Sequence, residues 1–464
     1  MKTNTAPAYS PPPRTHEGAV ADRITPLQQL RRSVLTCLLW EDNFYESGAA
    51  VAARIADLCT KVKPEDIATL AIEAREAMKL RHVPLYLAVQ LSKRKGYGSL
   101  VTDVLDKIVQ RADEPAELLA MYWQDRAAKF KDIDGRRQGG AISHRGIKTG
   151  LANALHRFNE YQLAKWRGDD KAVKLRDVIR LVHPKASSPA QADLWKRVMK
   201  GELATPDTWE VELSAGKDKR ETFTRLLTDN KLGGLALLRN LRNMEQAGVD
   251  RSLVSTRLEQ GVERALPFRF ITAARYAPNY EPSLEIAMFK AIEGMPKLPG
   301  KTGLMVDVSG SMDGRISAKS ETTRIDVAAG LSILVRELCE TAVLATFSDR
   351  VVAIPPRRGF ALRDAVLNSQ PHHGTYLAQA LATMTIQPAW KDMDRLIVLT
   401  DEQSADGISL GSVTGLAYCV NVASNANGVS YKNGWQHIDG WSEAVLDYIR
   451  EIEIESANET RSQS

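Results

Sequence analysis

Seven residues, Gly294-Met295-Pro296-Lys297-Leu298-Pro299-Gly300, divide this chain into two textures that do not belong to one architecture. Two prolines and two glycines in that stretch break both helix and central strand, so it reads as a linker. Ahead of it, apolar residues recur at helical spacing, as in Val51-Ala52-Ala53-Arg54-Ile55-Ala56-Asp57-Leu58 and Ile67 to Ile72. Pro64 before Glu65 and Asp66 is a helix opening, and Pro84, Pro115, Pro189, Pro206, Pro267 and Pro282 punctuate further helical runs. Strand-like alternation is almost absent there. Helices in series suggest a helix-pair solenoid, with a compact irregular helical domain as the alternative.

Behind the break the pattern changes. Thr302 to Val308, Thr341 to Phe347, Arg395 to Thr400 and Leu416 to Val422 read as buried strands. Ile325 to Glu340, Tyr376 to Thr385 and Ser442 to Glu453 read as helices between and after them. That alternation indicates a doubly wound α/β sheet. The expected division is a flexible Pro-rich tail over 1–25, a helical-repeat domain over 26–293, a linker over 294–301, an α/β domain over 302–455 and a tail over 456–464.

Hydrophobic residues make up 44% of the chain and charged residues 26%, ordinary values for a soluble globular protein. No run of eighteen apolar residues is present, so no membrane span is expected, and the polar N-terminus lacks the apolar core of a secretory leader. The four cysteines, Cys37, Cys59, Cys339 and Cys419, form no CxxC pair. Buried reduced thiols in a cytoplasmic protein are expected, rather than a disulfide or zinc framework.

The carboxyl ends of strands in an open α/β sheet are where ligands bind. Asp307 ends the first expected strand and Asp401 follows the Arg395 to Thr400 strand. Ser309 and Ser311 come after Asp307 at alternate positions around Gly310, and Thr375 follows Gly374 at a helix start. Asp307, Ser309, Ser311, Thr375 and Asp401 together offer an all-oxygen shell with few carboxylates, which suits Mg²⁺, with Mn²⁺ also accommodated. The order Asp-x-Ser-x-Ser, later Thr, later Asp resembles the metal-ion-dependent adhesion site (MIDAS) of von Willebrand A domains, and Phe347-Ser348-Asp349 is similar to that family too. The resemblance implies direct ligation by Asp307, Ser309, Ser311 and Thr375, with Asp401 acting through water. A partner's acidic group would complete the shell. That is a binding site and not a catalytic one: the shell lacks a second ion site and an evident general base, and no GxSxG elbow or GxxxxGK[ST] loop is present, so no enzyme is expected.

Charge separates the halves as well. Residues 1–295 carry 47 Lys+Arg against 37 Asp+Glu, and residues 296–464 carry 15 against 20. Within 141–185 ten basic residues face four acidic ones, Glu160, Asp169, Asp170 and Asp177, with Phe158, Tyr161 and Trp166 interleaved. Such a window can neutralise phosphates and offer stacking faces to RNA; a solvated helix face is the plainer reading.

Several stretches carry a further resemblance. They are His144-Arg145-Gly146-Ile147-Lys148, the run Lys174 to Lys185 with its Arg180 and His183-Pro184, the run Leu232 to Met244 with Arg239-Asn240-Leu241, and Ala265-Leu266-Pro267-Phe268-Arg269-Phe270. With the domain order, they resemble the TROVE-domain proteins, the Ro ribonucleoprotein family and its bacterial and phage relatives, over residues 25 to 455. The resemblance implies a ring of HEAT-like helical repeats closed by the A domain. It implies small structured Y-like RNA on a basic outer surface, single-stranded 3′ ends of misfolded or immature RNA in a central hole, and a 3′-exoribonuclease partner in RNA quality control. It carries RNA contact to Lys165, Arg167 and His183, with Arg145, Lys148, Arg180 and Lys185 beside them, in a protein that is a monomer within its ribonucleoprotein. Asp169 and Asp170 depart from the family pattern and oppose phosphate contact. The competing expectation is a metal-dependent protein-interaction scaffold that binds no RNA.

Overall fold

The computed structural model describes residues 13–463 apart from 36–38, 43–45, 128–141, 169, 263–264, 266, 407–414, 424–427, 430–433 and 443. Cys37, Ala141, Asp169 and Leu266 therefore lie outside the described residues. Every named element from Pro26 to Ile292 is helical, and the first strand begins at Leu298. This is the expected class, helices in series and then an α/β sheet. Compactness groups the chain differently from texture: one unit comprises 1–51, 233–246 and 250–464, and the other 52–232 with 247–249.

The helices of the second unit start where their sequences allow. Pro64 occupies the first turn of Pro64–Glu76 with Glu65 and Asp66 beside it. Asn159 and Gln162 cap Glu160–Lys165 reciprocally. Helix Arg145–Leu155 packs on Gly98–Ile108 through two glycines. A Cβ on Gly146 would meet the Gly98 carbonyl oxygen at 2.2 Å, and one on Gly150 would meet Leu105 Cβ at 2.8 Å. The glycines of that basic helix therefore serve close packing, while its charges stay outside.

In the first unit six strands lie in the order β3-β2-β1-β4-β5-β6. They are β1 Leu298–Asp307, β2 Cys339–Phe347, β3 Val351–Ile354, β4 Arg395–Thr400, β5 Leu416–Asn421 and β6 Trp435–Asp439. All pairs are parallel except β2 with β3. All six residues of β4 are buried, as its unbroken apolar run requires. β1 starts inside the stretch expected as linker; its register shifts between Leu298 and Lys301, where Pro299 lacks a donor and Gly300 takes φ 78°. The C-terminal helix Ala444–Gln463 runs past 456, where a tail is expected. Arg395 fastens it to β4 by donating from Nε to Glu453 Oε1 at 2.6 Å and from Nη2 to Oε2 at 2.9 Å.

The N-terminal residues belong to this sheet unit. Residues 13–25, part of the stretch expected as a flexible tail, are ordered against the sheet unit. Prolines exclude a helix but allow an extended strap, and here Arg14 bridges Val20 with Thr15, Ala19 and Ala21 buried. Helix Pro26–Leu35 packs on β6 and buries Arg32 completely. Beyond it the Ala318 N–H donates to the Asp42 carbonyl at 2.7 Å, and the Ser317 hydroxyl donates to Glu41. Cys59, Cys339 and Cys419 are buried free thiols. Among the described residues no helix is long and apolar enough to cross a membrane.

Candidate metal centre and basic surface

β1, β2 and β3 are laid to one side before the chain returns to β4 on the other side of β1. The crevice beyond the carboxyl ends of β1 and β4 is thus the switch point of the sheet. Asp307 and Asp401 both emerge there and both are fully buried. Asp307 Oδ1 accepts from the Ser309 N–H at 2.9 Å and Oδ2 from the Thr400 hydroxyl at 2.6 Å. Ser309 Oγ and Ser311 Oγ lie 3.4 Å apart. Asp401 Oδ1 accepts from the Gln403 N–H at 3.3 Å, and its Oδ2 lies 3.5 Å from Arg324 Nη1. The same nitrogen donates to the Ser311 carbonyl at 2.9 Å.

Thr375 reaches this crevice because its loop is stitched to three others. The Gly310 N–H donates to the His373 carbonyl at 2.8 Å. Ser348 accepts from the His373 N–H at 2.9 Å and donates to the Gly374 carbonyl at 3.1 Å. The Ala405 N–H donates to the Thr375 carbonyl at 2.8 Å. All five expected ligands therefore lie on loops that bond to one another. Thr375 Oγ1 is buried and makes no hydrogen bond among the described residues. Such an orphan costs about 1–3 kcal/mol unless something accepts it.

The electrostatics point the same way. Burial, and then the charge of Asp401, hold the Asp307 carboxyl well above the ordinary carboxylate range. Two buried carboxylates beside an idle hydroxyl make a site that gains from a cation. Among the described residues no group of three or more His, Cys, Asp or Glu could hold a metal, so the hydroxyls must supply the rest of any shell. The donor set is hard oxygen throughout and fits a divalent ion of the Mg²⁺ class.

Sequence reading missed the residues around the ligands: Thr400, Gln403, Arg324, Glu402 and Glu17. Glu402 takes φ 59° and turns away from the crevice into the fold. There it accepts from Arg32, and His437 Nε2 lies 3.0 Å from its Oε2. Burial drives the His437 imidazole down to about 4. Above pH 6.5 the ring is neutral whether the chain is folded or not. As pH falls below that, the unfolded chain takes the proton first, so stability is lost down to the folded value. The urea midpoint is expected to drop between pH 6.5 and 4, by up to about 3 kcal/mol from this group. His437→Gln should flatten that part of the curve; an unchanged pH profile would exclude the histidine as its cause.

The basic residues occupy the other unit. Helix Leu175–Val182 buries Leu175, Val178, Ile179 and Val182 and exposes Arg176 and Arg180, one turn apart. Arg167 and Arg176 line one shallow groove with Gly201 and Leu203. Trp166 lies between Arg111, whose guanidinium is 3.9 Å from the ring centroid, and Lys165 at 5.3 Å. Arg145, Arg180, His183 and Lys185 are exposed and Lys148 is half-buried. The opposing acids have partners of their own. Glu160 is held by Arg197, Asp170 pairs with Lys171 at 3.3 Å, and Asp177 accepts from the Lys174 N–H at 3.1 Å. The structure joins Arg167, Arg176, Arg180 and His183 around one helix; Arg145 and Lys148 lie on a helix packed against it.

His183 closes its helix at φ 50°. That conformation costs an L-residue about 1–2 kcal/mol and glycine almost nothing. His183→Gly is therefore expected to keep or raise stability by about 0.5–1 kcal/mol. If the imidazole stacks on a base, the same change lowers RNA affinity about fivefold or more. Urea unfolding beside an RNA titration separates the two effects.

The TROVE domain model matches residues 192–293. Two curated relatives match over 78 residues: telomerase protein component 1 of Mus musculus at 40% identity, and that of Rattus norvegicus at 38%. Those matches cover 15% of this chain and 3% of either relative, so the chain spans only a small part of their length. The crystal structure of the Deinococcus radiodurans RO (RSR) protein superposes with a TM-score of 0.57 at 17% identity, over 90% of this chain and 97% of that one. At that identity the likeness establishes the fold. The family match lies C-terminal to Arg145–Lys185 and includes the Leu232 to Met244 run noted in the sequence. Residues 192–293 thus carry the match to the TROVE domain, and the chain as a whole has the fold of that Ro protein.

Proposed function

We propose that the chain is a non-catalytic RNA-binding scaffold of a ribonucleoprotein. Small structured RNA and single-stranded 3′ ends are its ligands, in the service of RNA quality control alongside a 3′-exoribonuclease. The observation that carries this reading is the helix Leu175–Val182, whose solvent face is Arg176 and Arg180 and whose end is His183, while neighbouring acids are engaged elsewhere. Guanidinium groups one turn apart can hold successive phosphates. The test is ultraviolet crosslinking of the full chain to a hairpin RNA with a single-stranded 3′ tail, followed by peptide mapping. Crosslinks within 165–185 are expected; crosslinks confined to other segments would remove this helix from the interface.

The sheet unit, on this reading, is a von Willebrand A-type domain. Asp307, Ser309, Ser311 and Thr375 would hold Mg²⁺ or Mn²⁺ directly. Asp401, engaged with Arg324, would act through water. The ion would supply an electrophilic anchor for an acidic group, and the residues here orient and desolvate that anchor. A cytoplasmic location suits the buried thiols. The second reading, a metal-dependent protein-interaction scaffold without RNA, draws on the same crevice. It predicts partners that survive ribonuclease and are lost with EDTA.

A further inference from the structure

The N-terminal strap ends on the crevice just described. Residues 13–21 form a tight hairpin-like turn: Ala21 N–H donates to the Pro13 carbonyl at 2.8 Å, and Ala19 N–H to Thr15 Oγ1 at 3.0 Å. Gly18 sits at the tip at φ 91°, beside Glu17. The turn is seated by two bonds to the loop that follows Asp401. Thr15 Oγ1 donates to the Ser404 carbonyl at 2.9 Å, and the His16 N–H donates to Gln403 Oε1 at 2.7 Å. The Gln403 backbone N–H in turn donates to Asp401 Oδ1, so one residue links the strap to a candidate ligand. Glu17 Oε2 accepts from the Thr375 N–H at 3.2 Å. It thus places a carboxylate beside the orphaned Thr375 hydroxyl and within electrostatic reach of Asp401.

An acid delivered to this spot without a cation is unfavourable. It brings a third carboxylate to a crevice that already holds Asp307 and Asp401, where like charges repel. The hydrogen bonds of Thr15 and His16 nevertheless hold it there. With a divalent ion in the crevice the sign reverses, and the Glu17 carboxylate can join Asp307 as a second direct carboxylate, with Asp401 still acting through water.

We propose that Glu17 is an intramolecular ligand of the metal site, so that the strap of residues 13–21 closes the ion in cis and must lift before an outside acidic group can reach it. This rests on the metal-site reading above. Metal binding and strap closure then favour each other, since each lowers the free energy of the other.

The test uses the full-length chain and Mn²⁺ alone. Free Mn²⁺ is read by electron paramagnetic resonance, and the strap by the rate of trypsin cleavage after Arg14 and Arg23. Mn²⁺ is expected to slow that cleavage in the native chain. Glu17→Ala should bind Mn²⁺ roughly tenfold more weakly and lose the protection. Acetate should restore Mn²⁺ affinity to Glu17→Ala and leave the native chain unchanged, a rescue that a merely structural glutamate does not give. Because Glu17 is exposed, its truncation removes no core packing and the variant keeps its fold. Equal Mn²⁺ affinities for the native chain and Glu17→Ala, with cleavage indifferent to Mn²⁺, would overturn the proposal while the metal site stands. Asp307→Asn is the control: if it binds Mn²⁺ as the native chain does, the metal site itself has failed.

Discussion

Asp307→Asn is expected to weaken Mn²⁺ or Mg²⁺ binding by more than about 100-fold, since even outer-shell partners of a metal are worth about 10- to 100-fold. Its effect on stability should have the opposite sign without metal. Asp307 is fully buried and its charge is opposed by that of Asp401. Asparagine removes the charge and keeps an oxygen for the Ser309 N–H. The metal-free variant should therefore unfold at the same urea concentration as the native chain or a higher one. Metal then separates them: Mg²⁺ at a hundred times its dissociation constant adds about 2.7 kcal/mol to the native chain and nothing to the variant. An equal Mg²⁺ shift in both would remove Asp307 from the site. Equal destabilisation of the variant with and without Mg²⁺ would make it a structural carboxylate only.

The second large effect concerns the basic unit. The triple variant Arg167→Ala/Arg180→Ala/Lys185→Ala should lose roughly 100-fold in affinity for a tailed hairpin RNA near physiological salt. Each phosphate contact contributes about 0.7–0.9 to the slope of log affinity against log salt, so the slope should fall by about 2–3. All three side chains are exposed, so the urea midpoint should move by less than about 0.5 kcal/mol. An unchanged slope would show that these cations touch no phosphate, whatever the change in affinity. A lowered midpoint would show instead that the substitutions act through packing.

How far the sequence could be read follows from where each residue's partners lie. β4 was legible because a strand buried on both faces takes a continuous apolar centre, here residues 396–399. The five candidate ligand positions were legible because each sits at a strand end or helix start that local pattern marks. β3 was not: it is four residues long, half-exposed, at the sheet edge and next to Pro355 and Pro356. β6 was hidden by its polar residues. His437 is buried against Glu402, and Asp439 accepts from Asn421 Nδ2 at 2.7 Å, so the strand lacks an apolar signature. Arg32 and Glu17 were invisible for a simpler reason. Their partners lie 370 and 358 residues away, and no local period records a contact of that range.

The grouping of residues 1–51 with 250–464 means that the chain's beginning and end close one body, while the stretch between them is threaded as an excursion. On a ribosome the first fifty residues emerge long before Ser317, Ala318 and Glu402, the groups they bind. They must wait in water until residues 317 to 402 have been made, and slow assembly of such distant contacts is the general cost. Cutting the gene at residue 294 would not release a tidy helical fragment: helix Pro26–Leu35 would lose β6, the strand it packs on, and Arg32 would lose both its burial and Glu402. Autonomy in this molecule follows spatial closure and not the order in which its textures are written.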